Sequence, residues 1–577
     1  MQRWNKFNKY LNHIDGLMAK LIALFAILIM LGGASATKQS VCMSLPHKMT
    51  NLEALDNISN GHPIKEAFIE GDLDLYKLGR KSLDAIAIQG CCIGGKFNMS
   101  DLHLKANADF SNTTFNGDAN FKGDRFDDSV IFNDAKFRGY VNFTDSTSTN
   151  GIGCSNSTFC LNARFENITS SGYVNFFGAK FLGPSEFYDA TFSGLAVFHF
   201  ERAFFGGKST FQNILVENSM YFSDASVSGD IEFWNLTIGF ADFRSTCFYG
   251  KVNFEDSSLG ETLFRNCTFK NNIEFNKIIF NKYADFLGAD FRGDVSFSVA
   301  EAAEFNGGTS FQETHFWGRS FFDAIKFKGG KLNFFRAHFA NDTCFDSAEF
   351  DGDANFKEAQ FEGNSSFYSA NLKGDTSFRG AKFGNAMSKT IANFTLAEFD
   401  GDTVMTDIYF INSSSYISFN DAKISRLDIE WDPIKDHLEY DGSTYLALIK
   451  NFRELEQFED ADNCYYEYRS NKQRDSIDLI ILDFISHWSC GYGVSLTHTI
   501  GLSIGMMLIF AIWFWLFESS LEDAALFSVI IFLQAPRSER YSSMMNRHTY
   551  AVILEQILGW SLMAVFIVVL TRKLILS

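Results

Sequence analysis

The residues of this chain that are suited to chemistry are scattered. Its 11 histidines never stand three or four residues apart, the spacing that would turn two imidazoles toward one metal on a helix, and none joins a metal-like cysteine spacing. Nothing reads as a nucleophile elbow, a phosphate loop or a dinucleotide fingerprint. Acidic corners such as Asp351-Gly352-Asp353 and Asp400-Gly401-Asp402 carry the hard oxygens that calcium takes, but they fall where turns are expected and lack a complete ligand set. These patterns predict no catalytic residue, no cofactor and no metal. The formal net charge of -19 also opposes nucleic-acid binding, since phosphate needs a basic surface.

The elements behind this surface are set by a phenylalanine ladder. Phe110, Phe115, Phe121, Phe126, Phe132, Phe137 and Phe143 follow one another at alternating gaps of five and six residues, and Phe345, Phe350, Phe356, Phe361 and Phe367 repeat those gaps far downstream. Two residues before most of these positions sits a small residue, as in Ala119-Asn120-Phe121, Ala284-Asp285-Phe286 and Ala397-Glu398-Phe399. Small-in, polar-out, Phe-in is the period of a very short strand with one buried face. Between triplets lie Asn116-Gly117-Asp118, Lys122-Gly123-Asp124, Arg292-Gly293-Asp294 and Lys373-Gly374-Asp375, which suit tight turns that need unusual backbone angles. Strands and corners alternating this regularly predict an all-β solenoid of stacked coils.

The units Ala-Asp-Phe-Ser-Asn at 108 to 112 and Ala-Asn-Phe-Lys-Gly at 119 to 123 resemble the pentapeptide-repeat family. The resemblance covers residues 68–430 and implies a right-handed, quadrilateral β-helix. The extra residue in every second unit departs from the family pattern and bears on corner geometry. Four sides make a coil of 22 residues, about sixteen coils at strand spacing in all. The ladder falters at 144 to 158, at 198 to 205 and at 384 to 390, which are expected to leave the coil as loops, the natural binding positions of a rigid scaffold. Some members of this family imitate DNA and bind topoisomerase through an acidic surface, a reading that suits the charge.

Residues 1–36 carry Arg3, Lys6, Lys9 and Lys20, an apolar stretch from Leu21 to Leu31 and the ending Ala34-Ser35-Ala36. This is the layout of a secretory signal peptide, with an uncleaved anchor as the alternative. Residues 37–67 are expected to cap the first coil. Asn-x-Ser/Thr sequons, candidate glycosylation sites, begin at Asn57, Asn98, Asn112, Asn142, Asn156, Asn167, Asn235, Asn266, Asn341, Asn364, Asn393 and Asn412. Asn142 and Asn393 are placed in the outward slot beside a ladder Phe. Of the 10 cysteines, Cys154 and Cys160 bracket the first interruption and are the expected disulfide. Cys267 falls in an inward slot and Cys247 in an outward one, so those two should not pair.

After Trp431 the ladder stops. Leu448, Phe452, Leu455, Tyr465 and Tyr468 lie at helical spacing, so residues 431–494 are expected to form a helical cap and connector over the open solenoid end. Residues 495–577 hold two apolar segments, Ile500 to Phe517 and Tyr550 to Leu570, each long enough to cross a bilayer, around a shorter one from Ala524 to Ala535. Helix, short dipping helix, helix resembles the two-helix potassium-channel pore module. The filter loop that such a pore needs is replaced by Phe532-Leu533-Gln534-Ala535-Pro536-Arg537-Ser538, and Gly491-Tyr492-Gly493 precedes the first segment, where it reads as a break between cap and membrane. Glu555, Gln556 and Ser561 are placed at a helix interface, with snorkelling open to Glu555.

The expected protein is a non-enzymatic, membrane-anchored scaffold, spacer or binding surface. Its repeats lie outside the cytoplasm, and its partners are the membrane and other surface proteins or glycans. The alternatives are a channel-like protein gated by its repeats and a cytoplasmic DNA mimic that inhibits topoisomerase.

Overall fold

The computed structural model describes residue 42 and residues 45–194, 196–298, 301–472, 477–517, 520–535 and 541–576. The leader over residues 1–36, with its Ala34-Ser35-Ala36 ending, lies outside them. The chain divides into two compact units, Met1–Asn355 and Phe356–Ser577.

The β region is a parallel solenoid of about 17 turns, in agreement with the expected fold class. One coil of the first unit shows the plan. Thr114–Phe115, Ala119–Asn120, Arg125–Phe126 and Val130–Ile131 are its four two-residue strands. Each pairs in parallel with the residues 22 positions on, Phe115 with Phe137, Ala119 with Val141, Phe126 with Ser148 and Val130 with Ile152. This step stacks equivalent side chains at strand spacing. Phe115, Phe137, Phe159, Phe181 and Phe205 form one column with centroids 4.7–5.0 Å apart and ring planes within 9°. Neighbouring columns meet edge to face, as Phe121 meets Phe132 at 5.0 Å and 74°, the arrangement that the ring quadrupole favours. Each buried ring contributes about 1.5–3 kcal/mol.

The corners are of two kinds. After a ladder Phe the chain makes a β-turn whose third residue is left-handed, Asn112 at φ 57°, Gly123 at 70° and Asp134 at 58°, closed by bonds such as Thr113 N–H to Phe110 O at 3.2 Å. At the alternate corner the expected unusual angle is absent. Gly117 has an ordinary φ, and its glycine is required because a Cβ there would sit 2.7 Å from the Gly95 carbonyl carbon in the coil before.

Two of the three expected loops are not loops. Over 144 to 158 the coil runs on in register: Ser148 stands between Phe126 and Ser170, and Cys154 takes the place of a ring between Phe132 and Phe176. Ser148 Oγ bonds both the N–H and the carbonyl of Gly151 at 3.0 Å. Phe198 and Phe200 are likewise buried, with Phe200 stacked on Phe176 and Phe222. Residues 384 to 390, in the second unit, do leave the coil. Phe361 pairs with Phe383, but Ser365 pairs with Ala392, 27 positions on, and Met387 at the tip is 79% exposed.

Cys154 and Cys160 are both free thiols, which corrects the expected disulfide. Cys154 points into the coil and Cys160 lies on the outer side of the next wall, so the walls' alternation keeps their side chains apart. Cys267 is buried and Cys247 half-buried, and both are free. The disulfide present joins Cys42 to Cys92. It lies at the first coil, where His47–Thr50 pairs with Ala67–Glu70. The helix α1 (Asn51–Ser59) begins in a Thr50/Glu53 capping box and buries Ala54, Leu55 and Ile58 against that coil.

One inward slot holds a carboxyl group. Asp124 follows Phe121 as Thr113 follows Phe110 and is fully buried. Its Oδ1 accepts the Leu102 N–H at 2.9 Å, while Oδ2 has no partner. Burial pushes this group up to about 9. A carboxyl raised in the folded state contributes stability that is full below pH ~4 and is lost as pH rises through about 9. Asp124→Asn keeps the shape and removes the ionisation. Thermal unfolding of the detergent-solubilised chain should fall less steeply with pH over this window in the variant, and identical profiles would refute the assignment.

Candidate functional site in the helical end

The last coils of the second unit are closed by side-chain and backbone groups that imitate a further coil. Asn451 lies in α3 (Gly442–Glu454), which follows the short α2 (Trp431–Ile434). It accepts the Leu427 N–H at 3.0 Å and donates its amide to the Leu427 carbonyl at 2.7 Å. On another wall the Ile417 N–H donates to His437 O at 2.7 Å and Ile417 O accepts from Glu439 at 3.0 Å. The His437 ring lies over Phe410 at 4.3 Å. Trp431, buried, packs edge-on to Tyr445 and Phe452. The expected cap is therefore present, but its helical run breaks at Glu456, φ 61°, between α3 and α4 (Phe458–Asn471).

Beyond α5 (Ile477–Cys490) lie α6 (Leu496–Trp515), α7 (Leu521–Leu533), α8 (Ser542–Arg547) and α9 (Thr549–Leu576). Helices α6 and α9 are long and apolar enough to cross a membrane. The 13 residues of α7 reach only about 20 Å at 1.5 Å per residue, short of a ~30 Å hydrocarbon layer. The α7 helix is gripped from both sides. Ser528 donates to the Met507 carbonyl of α6 at 2.9 Å and is hydrogen-bonded to Glu555 Oε1 of α9. A Cβ on Gly559 would come 2.6 Å from Phe532 O, so α9 meets the end of α7 at backbone distance. Glu555 is fully buried and does not snorkel, because Ser528 holds it inward. Ser561 bonds back to Ile557 O at 2.9 Å within its own helix.

Gly491-Tyr492-Gly493 is a left-handed turn, with φ of 53°, 57° and 81°. Tyr492 is buried and donates its hydroxyl to Asp483 at 3.1 Å. The Gly493 carbonyl accepts from Arg572 at 3.2 Å, and the other arm of Arg572 lies 2.6 Å from Asp462 of α4. Burial raises the Asp462 carboxyl above its ordinary value, against the pull of Arg572 and Lys573. This clamp fixes the far end of α9 and the near end of α6 on the side of the cap, which places the turns around α7 on the other side. At the place of a filter, Gln534 closes α7 in a left-handed conformation, and residues 536–538 lie outside the described residues.

The sequons divide by slot. Asn112, Asn156, Asn167, Asn235 and Asn266 sit at exposed corners in the left-handed position, and Asn341 and Asn364 are also exposed. Asn57, Asn98, Asn142, Asn393 and Asn412 are half-buried. The outward slot expected for Asn142 and Asn393 is a hydrogen-bonded ladder, in which Asn120 donates to Asn98 at 2.9 Å and Asn142 to Asn120 at 3.3 Å. The acidic corners carry cations from the adjacent coil: Lys331 lies 3.8 Å from Asp353, Lys423 3.0 Å from Asp400 and Arg426 3.1 Å from Asp402. A grouping the spacing did not reveal is Asp323, Cys344 and Asp346, whose ligand atoms lie within 4.8 Å of one another. The Cys344 thiol, raised by burial, donates to Asp323 at 2.5 Å. The coil step that pairs Phe321 with Cys344 is what brings these three together.

Removing the Asn451 amide by Asn451→Ala leaves the Leu427 N–H and carbonyl unpaired, each at a cost of about 1–3 kcal/mol. Amide exchange near Leu427 should accelerate while exchange at Phe367 stays unchanged. Equal acceleration at both would show a general loss of stability in place of an opened end.

No curated protein and no solved structure is matched by the chain. The family model described as pentapeptide repeats, in nine copies, matches residues 103–147 and 334–382. The walls of this solenoid are therefore built from pentapeptide repeats over those two stretches.

Proposed function

We propose that this chain is a non-enzymatic surface protein, a pentapeptide-repeat solenoid anchored in a membrane by α6 and α9 and offering a scaffold, spacer or binding surface outside the cytoplasm. The observation that carries the anchoring is the outward face of these helices. Ile504, Leu508, Ile509 and Ile512 of α6, with Leu554, Ile557, Trp560 and Val568 of α9, are all exposed, an apolar surface that suits lipid. The Cys42–Cys92 disulfide supports an oxidising compartment for the first coils, as does the confinement of sequons to residues before 413. Repetition supports a structural role, because most positions are committed to rings, ladders and corners. Protease added to intact cells should trim the repeats and leave a membrane-bound fragment containing α6 to α9. Complete protection of the repeats would overturn the extracytoplasmic placement.

A second reading, a channel-like protein with the repeats as a gating domain, is favoured by one arrangement. The clamp at Arg572 gives α6, α7 and α9 the order of span, dipping helix and span with both outer ends on the cap side. The sequence at the filter position weighs against it. Ion flux through purified protein in liposomes, lost on disruption of residues 524–540, is the result that would establish this reading, and its absence would remove it.

A further inference from the structure

Helix α5 is inside out by the standard of a water-soluble domain. At 100° per residue, Asp483, Ser486, His487 and Cys490 share one face, and that face is turned to the protein. Asp483 lies 3.5 Å from Arg469 and accepts the Tyr492 hydroxyl, and His487 packs on the Tyr466 and Tyr492 rings. The opposite arc carries Ile480, Ile481, Leu482, Phe484, Ile485 and Trp488, each 52–63% exposed. A helix bordering water buries its apolar stripe and exposes its polar one, whereas α5 holds its polar stripe half-buried against the protein and leaves its apolar arc exposed.

The position of α5 identifies what covers this surface. The helix packs against α6, α9 and the 491–493 turn. That turn is held to the end of α9 by Arg572, and α6 begins three residues beyond it, so α5 lies at the level where both long helices leave the hydrocarbon. Its 14 residues reach about 21 Å, too short to cross ~30 Å. We propose that α5 lies in the plane of the bilayer interface with its apolar arc among the acyl chains, a third membrane contact that holds the cap against the lipid surface. This inference rests on the anchoring by α6 and α9. A helix with this division of faces binds an interface through its buried apolar area.

The test uses the full chain reconstituted in zwitterionic phospholipid vesicles. Nitroxide labels are placed by Phe484→Cys on α5 and, as a reference, by Ile512→Cys on α6, with Cys160, Cys247, Cys344 and Cys490 changed to Ser. Both labels are expected to collide several-fold more often with oxygen, which concentrates in lipid, than with a water-soluble nickel chelate. If 512 favours oxygen but 484 favours nickel, the proposal fails and the anchoring stands. If both favour nickel, the anchoring itself fails. Low collision with either reagent at 484, together with spin–spin broadening, would show a second copy of the chain on this face and would also overturn the proposal. A second readout leaves the cysteines untouched. Trp488→Phe should remove part of the tryptophan quenching caused by brominated lipid, and undiminished quenching would count against the proposal.

Discussion

Each coil of this protein is completed by the next one. The Phe121 N–H donates to Asn142 O, 2.8 Å away in the coil that follows, and Asp145 donates to Glu166 O one coil further on. Most strands are two residues long, and their ladder bonds run to neighbouring coils, so a single coil has almost no backbone bonding of its own beyond its corner turns. Stability is accordingly a sum of nearest-neighbour terms. The same dependence creates the structure's main demand, because a first and a last coil each lack a partner on one side.

The two ends meet that demand differently. At the beginning, α1 lays Ala54, Leu55 and Ile58 on the first coil, and the Cys42–Cys92 bond closes the segment before it. At the other end, Asn451 and the extended residues 437–439 reproduce the donors and acceptors of an absent strand, while Trp431 covers the apolar interior. The cap then serves a second purpose. Asp462 on α4 binds Arg572, so the structure that closes the solenoid also gathers the ends of the two long apolar helices.

Departures from the repeat sort by whether the coil can absorb them. Ser148 and Cys154 replace rings without breaking register, since a side-chain swap leaves the residue count of the coil unchanged and Ser148 bonds the Gly151 backbone. Five additional residues between Phe383 and Ala392 cannot be absorbed by a strand two residues long and are expelled as a loop. Counting Phe residues detects both events equally, which is why three loops were expected and only 384 to 390 leaves the wall.

The parallel solenoid, the 22-residue step, the cap and the two long apolar helices are legible in the sequence, because each is written in a local period. Inward and outward slots alternate every residue, and apolar runs need no partner to be recognised. The remaining features rest on contacts between residues far apart in the chain. The pairing of Cys42 with Cys92, the buried carboxyl of Asp124, the grip of Ser528 on Met507 and Glu555, and the reach of Arg572 to Asp462 all join positions whose proximity follows from packing. The direction in which α5 turns its polar stripe is of the same kind. A helical pattern shows that a helix has two faces, but only its neighbours show which face they take and which is left exposed.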